Sequence, residues 1–129
     1  MIAINTNIVV RYQTGDHPEQ SKRAREIVDG QPVFVPLTVV LETEWVLRSA
    51  YGYKPEAVAR AMRAFGGLPG VSIEDAAIVA AAFDHAERGM DFTDALHLGL
   101  SETHGALLTF DRKFVKAAKA VGVDFVHEA

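Results

Sequence analysis

The 129-residue chain contains no cysteine, which excludes disulfides, thiolate catalysis and cysteine-held zinc. Five prolines and ten glycines are too few for a low-complexity chain. No apolar run approaches the roughly 18 residues that a membrane helix needs. The opening MIAINTNIVV has no basic stretch ahead of its apolar part, so no signal peptide is expected and a cytoplasmic location is the simplest reading. There is no glycine-rich phosphate loop. Gly66-Gly67 and Gly70 lack the following Lys and Ser/Thr, which excludes P-loop nucleotide hydrolysis. No nucleophile-elbow motif surrounds any serine, and His17, His85, His104 and His127 have no metal-ligand spacing. Positive charge is also scarce: 13 Lys and Arg against 17 Asp and Glu leave a formal charge of −4. Phosphates are repelled on average, so any nucleic-acid role needs a local basic patch or a bound cation.

What remains is an ordinary globular balance, 49% hydrophobic and 23% charged, sized for one domain over residues 1–129. Short β-type runs alternate with helical patterns. Ile2-Ala3-Ile4 is a first strand. Thr6 is placed to cap a short helix through Tyr12, with Gly15 in the turn beyond. Pro18 suits a first helical turn and Gly30 a stop. Val33-Phe34-Val35 is a second strand. A helix from about Thr38 to Tyr51 follows, with Val40, Leu41, Trp45, Val46 and Leu47 near the helical period. Pro55 opens another helix that ends at Gly66-Gly67. Ser72 and Asp75 read as a capping box for a helix from about Ile73 to Arg88. Further helices are expected over Thr93–His104 and Arg112–Ala120, and strands over Ala106–Thr109 and Val123–Val126. Four strands alternating with helices predict an α/β fold, with a short, mainly parallel sheet between helical layers.

In such sheets ligands collect beyond the carboxyl ends of the strands. Asn5 follows the first strand, Asp111 the third, and the helix after the second strand carries Glu42 and Glu44. Asp91 and Asp94 open the helix before the third strand. Converging carboxylates repel each other and their pKa values rise unless a cation intervenes. Hard oxygen donors suit Mg²⁺ or Mn²⁺, and such an ion can assist phosphodiester hydrolysis. Plainer roles exist for each residue. Asp91 can cap its helix with Asp94 at the third position, and Asp111 can cap the basic helix after it. Asn5 can be a turn or cap residue. Glu42 lies near the face of Leu41 and Trp45 and would there need a partner, whereas Glu44 points to water. His97, three residues after Asp94, is expected as a hydrogen-bonded core histidine.

The run from Ile2 to Tyr12, with Asn5-Thr6-Asn7, resembles the opening of PIN-domain ribonucleases, where the motif reads Asp-Thr-Asn. The likeness continues through Val40–Arg48, Asp91-Phe92-Thr93-Asp94-Ala95-Leu96-His97-Leu98 and Leu108-Thr109-Phe110-Asp111-Arg112-Lys113-Phe114. Four motifs in this order over nearly the full chain resemble the VapC toxins of type II toxin–antitoxin modules. The resemblance implies a PIN-like three-layer α/β/α fold and an Mg²⁺ or Mn²⁺ site with Asn5, Glu42, Asp94 and Asp111 as the catalytic set. Asn5, Asp94 and Asp111 would be the metal ligands, and Glu42 would hold or orient the attacking water. Thr6, Asn7 and Thr109 would orient those groups by hydrogen bonds. It further implies endonucleolytic cleavage of structured RNA, a tRNA or an rRNA loop, a homodimer, and a cognate VapB-type antitoxin. Trp45 and Val46 would then be core, dimer contact or antitoxin groove.

The departure is at position 5, where the family has Asp. An amide brings one neutral oxygen and no charge, so metal affinity and cleavage are expected to be severely reduced, by several kcal/mol of transition-state stabilisation on an order-of-magnitude scale. Asn5 would be either an engineered change that spares an expression host or the mark of a degenerate copy. A non-catalytic PIN module that binds RNA or a protein is the alternative reading, and a flap-type DNA nuclease a more distant one. Arg112, Lys116 and Lys119 space as one helical stripe, suited either to RNA phosphates beside the acids or to solvent.

Overall fold

The computed structural model describes all residues from Met1 to Ala129 and divides them into two compact units, Met1–Ala76 and Ala77–Ala129. The first unit is built on a parallel sheet of β1 (Ile2–Ala3), β2 (Val33–Val35) and β3 (Val71–Ile73), in that order across the sheet. Ile2 pairs with Val33, and Val33 with Val71. Two helices, α1 (Thr6–Thr14) and α2 (Pro18–Gly30), connect β1 to β2, and α3 (Leu37–Ser49) and α4 (Pro55–Gly66) connect β2 to β3. Parallel strands need such crossovers. The central strand is the most protected, with Val33 and Val35 fully buried among Val9, Val40, Leu47, Met62 and Phe65.

Helix ends in this unit follow local chemistry. The imidazole Nδ1 of His17 accepts from the Gln20 amide at 3.2 Å and Pro18 opens α2. Gly15 ends α1 in the left-handed region at φ 65°, where a side chain would be strained. The cap of α1 is Asn5, not Thr6, which is instead the first helical residue and is buried. In α3 the buried stripe is Val40, Thr43, Glu44 and Leu47. Trp45, expected on the apolar face, is 59% exposed.

The expected capping box at Ser72 and Asp75 is overturned. Val71–Ile73 is a strand, because β2 offers it a complete parallel ladder and Glu74 N–H continues the pairing to Val35 C=O at 3.0 Å. Asp75 then turns the chain at φ 49°, and the next helix begins only at Ala76.

The second unit contains most of α5 (Ala76–Glu87), then α6 (Phe92–Ser101), β4 (Leu107–Thr109), α7 (Arg112–Ala120) and β5 (Val126–Glu128). Phe83 of α5 stacks on Phe92 of α6 with ring centroids 4.4 Å apart. The strands β4 and β5 are parallel, with Leu107 opposite Val126 and Thr109 opposite Glu128. Helix α7 has the predicted bounds and buries Phe114 and Ala118. The last strand starts three residues later than expected, because Val123 N–H is taken by Ala118 C=O at the end of α7. The parallel α/β expectation therefore holds, with five strands in ladders of three and two rather than about four in one.

Candidate metal and nuclease site

Within the first unit, Asn5 stands directly beyond β1, exposed, and its side chain makes no capping hydrogen bond. Its backbone anchors the start of α1 by accepting from Val9 N–H. Next to it, Thr6 Oγ1 donates a short hydrogen bond to Glu42 Oε1 on α3. Thr6 is 6% exposed, so this donor cannot exchange freely with water and holds one oxygen of an otherwise exposed carboxylate. Asn7 is exposed on the first turn of α1.

Glu44 departs from expectation. It is 4% exposed and both its oxygens accept from Arg48 one turn on, through Nε and Nη2. A bidentate guanidinium makes burial of a carboxylate tolerable. The two acids of α3 are thereby sorted: Glu44 is committed to Arg48, and Glu42 faces solvent with Thr6 as its donor.

Within the second unit, Asp91 caps α6, its carboxylate accepting from the Asp94 amide at 3.0 Å. Asp94 occupies the third helical position and is half-buried. Partial burial pushes its carboxyl pKa up, the negative charges of Asp91 and Asp111 push it further, and His97 pulls it back. His97 is exposed rather than in the core, because the buried stripe of α6 is Phe92, Ala95, Leu96 and Leu98. Asp111 caps α7 with one oxygen, accepting from Lys113 N–H at 2.9 Å and Phe114 N–H at 3.2 Å. Its own N–H donates to Thr109 Oγ1 at 3.0 Å. Both expected cap roles, of Asp91 and Asp111, are present.

The structure thus brings Asp94 under the influence of Asp91 and Asp111, and separately ties Thr6 to Glu42. Within neither unit do three His, Asp or Glu side chains close into a ready coordination shell. The donors are all oxygens, as a hard divalent cation prefers, and an Asp94 carboxyl made costly to ionise by burial and by its neighbours would be relieved by positive charge. Arg112, Lys116 and Lys119 line one cavity of about 300 Å³ with Val115 and Glu128. Arg112 Nε bonds Glu128 at 2.9 Å, a partner that sequence spacing did not reveal because it comes from β5.

The PIN domain family model matches residues 2–120. The chain belongs to the PIN-domain family, and its fold is the PIN fold. Among solved structures, it is similar to VapC20 of Mycobacterium tuberculosis, a toxin that cleaves the sarcin–ricin loop. The two are 21% identical, with 98% of each chain covered and a TM-score of 0.45. No curated protein sequence matches the chain.

Proposed function

We propose that this chain is a Mg²⁺- or Mn²⁺-dependent endoribonuclease toxin of the VapC kind, strongly impaired by the amide at position 5. It would act on structured RNA, a tRNA or an rRNA loop. The observation that carries this reading is Asp94, half-buried at a helix start with the charges of Asp91 and Asp111 acting on it, in a chain of the PIN family. Burial and the neighbouring acids make Asp94 costly to ionise, a cost that a bound cation would relieve.

By resemblance to PIN ribonucleases, Asp94 and Asp111 would hold the ion, with position 5 as a third ligand when it is Asp. A divalent ion bound there supplies Lewis acidity to the scissile phosphodiester. Glu42, which accepts a hydrogen bond from Thr6, would hold or orient the attacking water. Asn7 and Thr109 orient neighbouring groups, Thr109 through its bond to the Asp111 amide. Arg112, Lys116 and Lys119 would neutralise RNA phosphates that the overall charge of −4 otherwise repels. The proposal extends to a homodimer, to a VapB-type antitoxin as partner and to a cytoplasmic setting. No helix is long and apolar enough to cross a membrane.

The test is restoration. Asn5→Asp should bind Mn²⁺ more tightly than the Asn5 protein and cut RNA in a Mg²⁺-dependent way. A restored protein that neither binds Mn²⁺ nor cuts any RNA refutes the reading. The second reading, a non-catalytic PIN module that binds RNA or a protein, is favoured by Asn5 itself. It predicts that Asn5→Asp gains metal binding without cleavage.

A further inference from the structure

One large aromatic in the second unit is left almost wholly in water. Phe110 is 86% exposed, although burying a phenyl ring is worth about 2–3 kcal/mol. It is also held in place. Thr109, before it, pairs with Glu128 in the sheet, and Thr109 C=O accepts from Ala129 N–H at 2.8 Å. Asp111, after it, donates its N–H to Thr109 Oγ1 and caps α7. The ring therefore stands on a bend whose two sides are both anchored, so fixing it against a ligand costs little backbone entropy. Leu108, two residues earlier in β4, is 63% exposed and sits opposite His127 of β5.

The surroundings select the ligand. Arg112 follows within two residues and lines a cavity with Lys116, Lys119 and Glu128; Glu128 pairs with Arg112 at 2.9 Å, so the two lysines supply the net positive charge of this groove. An exposed aromatic on an anchored bend, followed directly by a helix that carries a cationic groove, is a pairing suited to unpaired nucleotides, with rings stacking on bases and cations meeting phosphates. An apolar protein partner would be served by the ring and Leu108 but would leave Lys116 and Lys119 without a role. Resting on the ribonuclease reading above, we propose that Phe110 is a stacking platform for one unpaired RNA base. It would set the base next to the bond being cut, so that cleavage falls in single-stranded loops rather than duplex.

The test uses the Asn5 protein, which on that reading leaves RNA intact, and a hairpin RNA with 2-aminopurine at successive loop positions. Phe110→Ala should weaken hairpin binding roughly 5- to 150-fold, the range for losing one base–aromatic stack. It should abolish the fluorescence quenching at one loop position and leave the salt dependence of binding unchanged. Phe110→Trp should retain both affinity and quenching, and Phe110→Leu should not. Because the ring is exposed, all three variants should fold, with unchanged circular dichroism. If the parent binds the hairpin and Phe110→Ala binds it equally well with equal quenching, the platform is refuted while the ribonuclease reading stands. If Phe110→Ala changes only the sedimentation mass, the ring serves a second copy of the chain and the platform is again refuted. If the parent and Asn5→Asp both fail to bind any RNA, both proposals fall.

Discussion

Removing the cation from the buried pair on α3 should be among the costliest single changes in the first unit. Glu44 is 4% exposed, while the Arg48 side chain that grips both its oxygens is 37% exposed. In Arg48→Met the aliphatic stem is kept but a carboxylate stays buried without its bidentate partner. Breaking a buried pair from one side costs about 3–5 kcal/mol, and the partial exposure of Arg48 points to the lower end, about 3 kcal/mol. For a chain of 129 residues that corresponds to a fall in Tm of roughly 10–15 °C, at about 3–5 °C per kcal/mol. Glu44→Gln added to Arg48→Met removes the stranded charge and should recover most of the loss. A thermal and urea denaturation cycle over the two single variants and the double variant measures this directly. A Tm fall under about 3 °C for Arg48→Met, with no recovery in the double variant, would show that Glu44 is hydrated. The distinction between its two acids, one committed and one available, would then be lost.

Other consequences are equally open to measurement. Since Asp94 titrates above the ordinary carboxylate pH in the folded state, the native protein binds that proton more readily than the unfolded chain. Its contribution to stability is therefore greatest at low pH and declines as pH rises through the raised value. Asp94→Asn should raise Tm at pH 7, lose that advantage toward pH 3, and abolish the stabilisation that Mn²⁺ gives the Asn5→Asp protein in differential scanning calorimetry. Asp111→Asn keeps a good helix cap and should hold stability within about 0.5 kcal/mol, whereas Asp111→Ala should lose about 1 kcal/mol; calorimetric Mn²⁺ titration should show both binding more weakly. Thr6→Val removes the donor to Glu42 at about 1 kcal/mol of stability. In the Asn5→Asp background it should lower kcat for RNA at least about tenfold, with little change in KM, the signature of an interaction specific to the transition state.

Much of the helical framework is legible from local chemistry. Pro18, Pro55, Gly15 and the run Arg112–Ala120 carry their own start and stop signals, and the caps Asp91 and Asp111 can be read from position alone. What escaped depends on partners remote in sequence or on a tertiary choice. Three residues, Val71–Ile73, become a strand only because β2 has a free edge to offer. Their apolar–polar–apolar alternation was a signal, but it was weaker than the adjacent cap pattern. The buried face of α3 was misplaced because a guanidinium one turn away lets a carboxylate occupy the core side while a tryptophan takes the wet one. For the candidate site, residue types and spacing suggested oxygen ligands for a hard cation. The assignment of Asn5, Glu42, Asp94 and Asp111 as one set came from resemblance to PIN ribonucleases. The electrostatic contact of Asp94 with Asp91 and Asp111 could not be computed from spacing.

The central claim is most directly tested by mapping new RNA ends after incubating total RNA with the Asn5→Asp protein in Mg²⁺, alongside Asn5→Asp/Asp94→Asn. The account predicts discrete cuts within one or a few unpaired loops, absent in the double variant and in EDTA. No new ends, or the same ends from the double variant, would contradict it.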